Sequence, residues 1–352
     1  MKLADLTQQA SEWLRASGPS HEVVISSRVR LARNLAGMPF LSKCTPSQQT
    51  ELEQRLRQHV VASDVMGNGF YVDLTAAKPL DRQMLVERHL ISRHLANAKY
   101  PRGVAISADE TVAIMVNEED HLRMQVLRSG LQLDQAIEQI NRIDDALEQR
   151  LDWAFHGRFG YLTACPTNVG TGLRISVMLH LPALKLTGEL DKVFHAARDM
   201  HLALRGLYGE GTKAAGDFFQ LSNQTTLGKT EQQIVEEFTQ QALPGYIQYE
   251  MQARDALANG PERTGLDDKI YRAIALLRSA RMMNSDEMMY LLSLVRLGVN
   301  LGRITDIPLQ TVNELFLLTQ PAHLQRFLQR EMNARQRAEA RAELIQKRLS
   351  DH

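Results

Sequence analysis

The segment Tyr161-Leu-Thr-Ala-Cys-Pro-Thr-Asn-Val-Gly-Thr-Gly-Leu-Arg174 constrains this chain more than any other. A lone cysteine stands before a proline, a polar stretch from Thr167 to Gly172 follows, and Arg174 leads into the apolar run Ile175–Leu181. Gly170 and Gly172 accept positive φ, so the chain can turn tightly here and a ligand can approach the backbone. The segment reads as strand, turn, strand. Taken alone it predicts a buried thiol, the common state of a free cysteine.

Composition narrows the class. A chain of 352 residues has the length of two or three domains with an ample core. Lys+Arg and Asp+Glu both number 41, so net charge gives no reason to expect a nucleic-acid or anionic-membrane partner. Two cysteines, Cys44 and Cys165, are too few for a disulfide framework and suit a reducing compartment. No apolar run approaches the roughly 20 residues that span a bilayer, and Met1–Trp13 is too polar for a secretory leader. A cytoplasmic protein is expected.

Along the chain, residues 1–21 read as a short helical segment packed on the body. Val23-Val24-Ile25 leads into Ser26-Ser27-Arg28-Val29-Arg30, where Arg28 and Arg30 would share one face of a strand. A helix is expected over Pro46–Ala62, a strand over Phe70–Leu74, and a helix over Arg82–Ala98. Val104–Ile106 and Val112–Val116 form a hairpin signature around Ser107–Glu110. The second of these strands runs into Asn117-Glu118-Glu119-Asp120-His121-Leu122-Arg123. An amphipathic helix begins at Leu133, with Ile137, Ile140, Leu147, Leu151 and Ala154 on its stripe. Strands follow at Arg174–Leu181 and Phe218–Ser222, and a helix over Leu190–Leu207. Thr230-Glu-Gln-Gln233 fits a capping box. Beyond a boundary near residues 255–262 everything reads as helix, with Ser285 as an N-cap and further starts at Pro308 and Pro321.

Three groups of residues point to chemistry. Arg28, Arg30, Arg123, Arg174 and Arg205 occupy separate loop or strand-end contexts, and guanidinium groups converging on one cleft would hold a polyphosphate. A Walker motif is absent: Gly228-Lys229-Thr230 resembles its tail, but Asn223 stands where its first glycine belongs. Glu119 and Glu210 each lie close to one of these arginines; two fixed carboxylates could grip a guanidinium from two sides, and one could accept its proton. Cys165, as a thiolate, would help orient such a group.

In order and spacing, Ser26–Arg30, Asn117–Arg123, Cys165–Arg174 and Arg205-Gly-Leu-Tyr-Gly-Glu210 resemble the catalytic domain of the phosphagen kinases, the arginine and creatine kinase family. The resemblance implies an α+β fold: an antiparallel sheet flanked by helices, of the glutamine-synthetase-like kind, over residues 22–254. It implies ATP with Mg²⁺ and phosphoryl transfer to a guanidinium nitrogen. It gives nucleotide-contacting roles to Ser26, Ser27, Arg28, Val29 and Arg30, to His89 and Arg123, to Arg174, Ile175, Ser176, Val177 and Met178, and to Arg205, Gly206, Leu207, Tyr208, Gly209 and Glu210. Glu119 and Glu210 match the catalytic carboxylates and Cys165 the reactive cysteine, and no side chain is assigned to a metal.

Phosphagen kinases carry a helical domain ahead of the first arginine motif, whereas 25 residues precede Ser26 here. A site without that lid would admit an arginine presented on a protein, and the chain as a whole resembles the bacterial protein arginine kinases. That implies a helical C-terminal domain over 262–352 serving dimerisation, and an allosteric phosphoarginine pocket at Arg337 and Arg341, one turn apart, with Ala338 where the family motif has aspartate. Implied partners are arginine-bearing protein substrates, an activator protein and a Clp-type protease chaperone, in a stress response, with the enzyme a homodimer. The alternatives are a kinase of a small guanidino compound and an inactive phosphoarginine-binding adaptor.

Overall fold

A computed structural model describes residues 3–207 and 215–350. The N-terminal segment forms two 3₁₀ turns, Leu3–Gln8 and Glu12–Leu14, and Trp13 and Leu14 are buried. Strand β1 (Val24–Arg33) follows, then helix α1 (Pro46–Ala62), which starts at a complete capping box between Thr45 and Gln48. Next come β2 (Phe70–Asp73), α2 (Pro79–Glu87), α3 (Arg93–Asn97), β3 (Gly103–Ile106), β4 (Val112–Val116) and β5 (Leu122–Ser129). Helix α4 (Leu133–Glu148) leads to the small hairpin of β6 (Phe155–His156) and β7 (Gly160–Tyr161), then to β8 (Leu173–His180). After α5 (Pro182–Leu186) and α6 (Leu190–Asp199) come β9 (Leu202–Gly206) and β10 (Phe218–Asn223).

Several expectations change, among them that of the helix from Leu133, which ends at Glu148, before Leu151 and Ala154. The helix expected over Arg82–Ala98 is two, because His89 takes a left-handed φ of 59° and Ser92 caps a new start by accepting from Leu95 N–H at 3.0 Å. The helix expected over Leu190–Leu207 stops at Asp199; His201 at φ 55° turns the chain, and Leu202–Gly206 pairs with β10. Leucine and alanine favour helix there, and a distant partner strand overrides that preference. Strand β5 lies where no strand was expected. Its alternation of Leu122, Met124 and Val126 with Arg123 and Gln125 is masked in sequence by the acidic run just before it.

Eight strands form one sheet in the order β2-β3-β4-β5-β1-β8-β10-β9, antiparallel throughout. One face packs Val29, Leu31, Val126, Ile175, Val177 and Leu221 against α1 and α4 residues such as Leu56 and Ile140. The centre of the other face is polar and carries the site.

Beyond β10, α7 (Glu231–Glu236) opens on the expected box at Thr230 and runs through a π-helical stretch, Glu237–Ala242, into α8 (Leu243–Asn259). The remaining helices are α9 (Arg263–Ser279), α10 (Ser285–Asn300), α11 (Leu309–Leu318), α12 (Pro321–Phe327) and α13 (Ala334–Ser350). Asn284 rather than Ser285 caps α10, accepting from Glu287 N–H at 2.9 Å. Leu266, Ile270, Ile274 and Leu277 form the buried stripe of α9, in a core that also contains Trp13, Ile25, Met178 and Phe218. The C-terminal helices thereby share a core with the N-terminal segment and one end of the sheet.

Candidate active site

Strand register brings the arginines together. Arg28 and Arg30 alternate onto one face of β1; Arg30 sits opposite Arg174 of β8, and Arg28 opposite Ser176. On the other side of β1, Ala32 pairs with Arg123 and Arg30 with Gln125. Arg205 stands opposite Gln220. Arg28, Arg30, Arg123, Arg174, Arg205 and Gln220 line a cleft of about 580 Å³ with Arg93, His89, Glu118, Glu119, Cys165 and Leu207. A roomier hollow of about 700 Å³ lies between α1 and β2, but only Arg57 and Asp64 bring charge to it.

The arginine face is electrostatically strained. Burial, and then Arg123 and Arg174, lower the pKa of Arg28 to about 9. Burial, and then Arg205 and Arg123, lower Arg174 to about 10. Arg30 is pushed well down by burial and by Arg28, Arg123 and Arg174, and its buried Nε has no hydrogen-bond partner. Neutral groups take up part of the donor capacity: Arg28 donates to Gln220 Oε1 at 2.5 Å and to Ser176 Oγ at 3.4 Å, and Arg174 to Ser222 Oγ at 3.2 Å. What the face lacks is negative charge.

Two adjacent glutamates at the β4–β5 turn have opposite states. Glu118 is buried and takes hydrogen bonds from Arg123 Nη1 (2.8 Å), Ser92 Oγ (2.5 Å) and Glu119 N–H (2.8 Å). Burial opposes its charge, yet Arg123 and these donors outweigh burial and hold its carboxyl down at about 2. Glu119 is exposed at the tip of the turn, where partial desolvation and then Glu118 and Asp120 raise its pKa above the usual 4.5. Glu118 therefore anchors an arginine while Glu119 faces the cleft. Sequence reasoning picked out Glu119 and passed over Glu118, Ser92 and Gln220; only the acidic run around Glu118 could have signalled any of them.

The cysteine loop is held from behind. Asp120 Oδ1 accepts from Ala164 N–H at 2.6 Å and from Asn34 Nδ2 at 2.7 Å. Arg33 pairs with Asp144 at 2.5 Å, donates to Thr171 O at 2.9 Å, and lies 3.5 Å over the Tyr161 ring. Gly170 (φ 116°) and Gly172 (φ 68°) have the positive φ expected, for a different reason. A Cβ on Gly172 would lie 2.7 Å from Ala32 O, and one on Gly170 2.7 Å from Thr226 O, so the close approach is by neighbouring backbone rather than by a ligand. Cys165 is half-buried in the cleft wall, 3.0 Å from Thr167 Oγ1, not sunk in the core.

His89 sits at the bend after α2, its carbonyl held by Gln125 Nε2 at 2.7 Å and its ring edge-on to Trp13 at 4.5 Å. Burial, then Arg28 and Arg93, depress its pKa to about 3, so the ring is neutral. Other expected contact residues do not line the cleft with their side chains. Val29, Ile175 and Val177 are in the core of the opposite face, and Ser27 Oγ donates to Gly130 O. Ser26 and Met178 lie farther along the polar face, Met178 in the core shared with the C-terminal helices. Ser176 reaches the site through Arg28, and Gly206 is buried in β9 beside Leu207. Tyr208, Gly209 and Glu210 fall outside the described residues.

Arg337 and Arg341 are on α13, away from this cleft. Arg341 is buried and donates to Thr319 O (2.8 Å), Met283 O (2.8 Å) and Ser285 Oγ (3.0 Å), while half-buried Arg337 donates to Met332 O at 2.7 Å. Among the described residues no three His, Cys, Asp or Glu side chains gather as a metal site, and no helix is long and apolar enough to cross a membrane.

A face of arginines short of negative charge, beside a raised carboxyl and a thiol, suits phosphoryl transfer. Residues 51–253 match the family model of the ATP:guanido phosphotransferase C-terminal catalytic domain, and the chain belongs to that family. Arg28 and Arg30 lie ahead of the matched span. Residues 263–352 match the C-terminal domain of the protein-arginine kinase McsB. The chain is 49% identical over 348 residues to the protein-arginine kinase of Symbiobacterium thermophilum, covering 98% of each, and 41% identical to that of Bacillus subtilis, covering 99% of this chain and 96% of the relative. Within the family it therefore stands with the protein-arginine kinases. Among solved structures, the duplicated taurocyamine kinase of Schistosoma mansoni with bound transition-state-analogue components superposes with a TM-score of 0.59 at 28% identity, over 67% of this chain and about a third (34%) of that one. Lombricine kinase superposes with a TM-score of 0.55 at 25% identity, over 72% of this chain and 71% of that one.

Proposed function

We propose that the cleft transfers the γ-phosphoryl group of ATP to a guanidinium nitrogen of arginine residues carried on proteins. One observation carries the reading: Arg28, Arg30, Arg93, Arg123, Arg174 and Arg205 line a single cleft against only Glu118 and Glu119, a charge imbalance that a triphosphate relieves. The arginines hold the phosphates and neutralise charge on the group in flight, so positioning and electrostatics do most of the work. Mg²⁺ enters on the nucleotide as part of the substrate.

A free guanidinium has a pKa above about 12, so it must lose its proton as transfer proceeds. The nitrogen lone pair forms the N–P bond while the P–O bond to ADP breaks, and the proton passes to Glu119, whose raised pKa suits an acceptor. Cys165 and Glu210 orient the guanidinium, Glu210 on its motif alone. His89, as a neutral ring, borders the nucleotide without adding repulsion to the arginine face.

The protein acceptor is favoured by relatives of the same length named protein-arginine kinases. A small guanidino acceptor has one observation in its favour, the likeness to taurocyamine and lombricine kinases. Incubation with γ-³²P-ATP decides between them. Acid-labile label on an unfolded protein, absent with Glu119→Gln, is expected; label confined to free arginine, taurocyamine or lombricine would transfer the assignment to the second acceptor.

The same reading includes a cytoplasmic enzyme of the stress response that marks proteins for a Clp-type protease, has an activator protein among its partners, and dimerises through residues 262–352. The division into residues 1–21, 22–254 and 262–352 is part of it. So is a regulatory phosphoarginine site on α13, with Arg337 the contacting group and Arg341 its scaffold.

A further inference from the structure

Two residues just before His89 connect the cleft to the C-terminal helices. Glu87, the last residue of α2, is 2% exposed, and its carboxylate accepts from the backbone N–H of Ala322 at 2.9 Å and of His323 at 2.8 Å. These donors belong to α12, 235 and 236 residues away in sequence. Arg88 is fully buried. Its Nη1 donates to His323 Nε2 at 2.8 Å, its Nε and Nη2 pair with Glu110, and Nη2 also reaches Gln9 O at 3.1 Å. Ser11 Oγ donates to the same Glu110 at 3.0 Å. The next residue, His89, takes a left-handed backbone at φ 59° as the chain leaves α2, and lines the cleft.

We propose that Glu87 and Arg88 are positioning residues that fasten α12 to the bend presenting His89, so that docking of α12 and binding of nucleotide reinforce each other. The inference rests on the cleft being the nucleotide site. Its physical basis is local. The bend is closed by His89 N–H on Val86 O and Leu90 N–H on Leu85 O, both at 3.0 Å, and its flanking residues Glu87 and Arg88 are tied in turn to α12 and the N-terminal segment. If α12 lifts, two buried acceptor oxygens and a buried guanidinium lose partners together, and the bend relaxes with them. Linkage requires the converse: nucleotide that prefers the held bend must tighten α12 by the same factor.

The test is backbone hydrogen exchange on the full-length chain with and without MgADP, alongside ATP kinetics of Glu87→Gln. The amide oxygen of that variant can satisfy one of the two N–H donors, and its NH₂ faces the other. Expected are slower exchange at Ala322 and His323 on adding MgADP, and in Glu87→Gln a KM for ATP raised about fivefold or more with kcat within about twofold. A purely structural role would lower the melting temperature without splitting KM from kcat. MgADP binding that leaves exchange at Ala322 and His323 unchanged overturns the proposal even if Glu87→Gln fails to fold, because that measurement needs only the wild-type chain. Absence of MgADP binding to the wild-type chain removes the nucleotide reading itself and the proposal with it.

Discussion

Glu118 and Glu119 are neighbours in sequence and opposites in state: one pinned as an anion on Arg123, the other pushed towards protonation at the cleft. Environments that drive two carboxyls apart assign their roles. Glu119→Gln is expected to lower kcat by about 10²- to 10⁴-fold and leave ATP affinity within about twofold, measured by turnover and calorimetry. The pH profile follows from the sign of the shift. The acceptor works as the anion, so the rate should fall as pH falls through a pKa above 4.5, and a midpoint at or below 4.5 would argue against Glu119. Arg30 supports a second expectation. Its charge is disfavoured in the folded cleft by burial and by Arg28, Arg123 and Arg174, a penalty fully present below its folded pKa and relieved as pH rises through it. Arg30→Met should therefore raise the melting temperature of the unliganded chain by roughly 2–4 °C while abolishing ATP binding. A lower melting temperature would mean that Arg30 contributes to the fold through its packing.

At the scale of elements, the loop between β7 and β8 depends on residues well outside it. Arg33 grips Asp144 on α4 and Thr171 in the loop, so losing either partner strands a buried charge. Asp144→Asn should cost about 3–5 kcal/mol in chemical denaturation, and Gly172→Ala about 1–3 kcal/mol with a fall in kcat, since Cys165 and Arg174 flank that turn. The turn and its two glycines were legible in sequence. Their purpose was not, because Ala32 and Thr226, which crowd them, are remote along the chain. The same limit explains the missed strands. Leu202–Gly206 and Leu122–Ser129 become strands through partners elsewhere in the sheet, whereas Pro46–Ala62 carries its own start signals and was legible from end to end.

For the whole molecule, the cleft is a reservoir of unbalanced positive charge that a polyanion neutralises. MgADP at a hundred times its Kd should stabilise the chain by about 2.7 kcal/mol, and inorganic tripolyphosphate should raise the melting temperature too, with both effects shrinking as salt is added. Stabilisation indifferent to ionic strength would locate binding elsewhere. Four ordered motifs made the arginine cleft readable in the amino-acid sequence itself. The joining of α9, α10, α11 and α13 to Trp13 and Ile25 in one core was not readable there, because no local signal marks which apolar stripe meets which. The place of β1 in the sheet has a consequence for biosynthesis. It lies between β5 and β8, and 148 residues separate Arg28 from its partner Ser176. At ribosomal speeds of about 5–20 residues per second, roughly 7–30 s pass between the emergence of the two. The first strand to leave the ribosome is among the last to be enclosed, so a nascent chain carries Arg28 and Arg30 in the open, without activity, until most of the catalytic domain has been made.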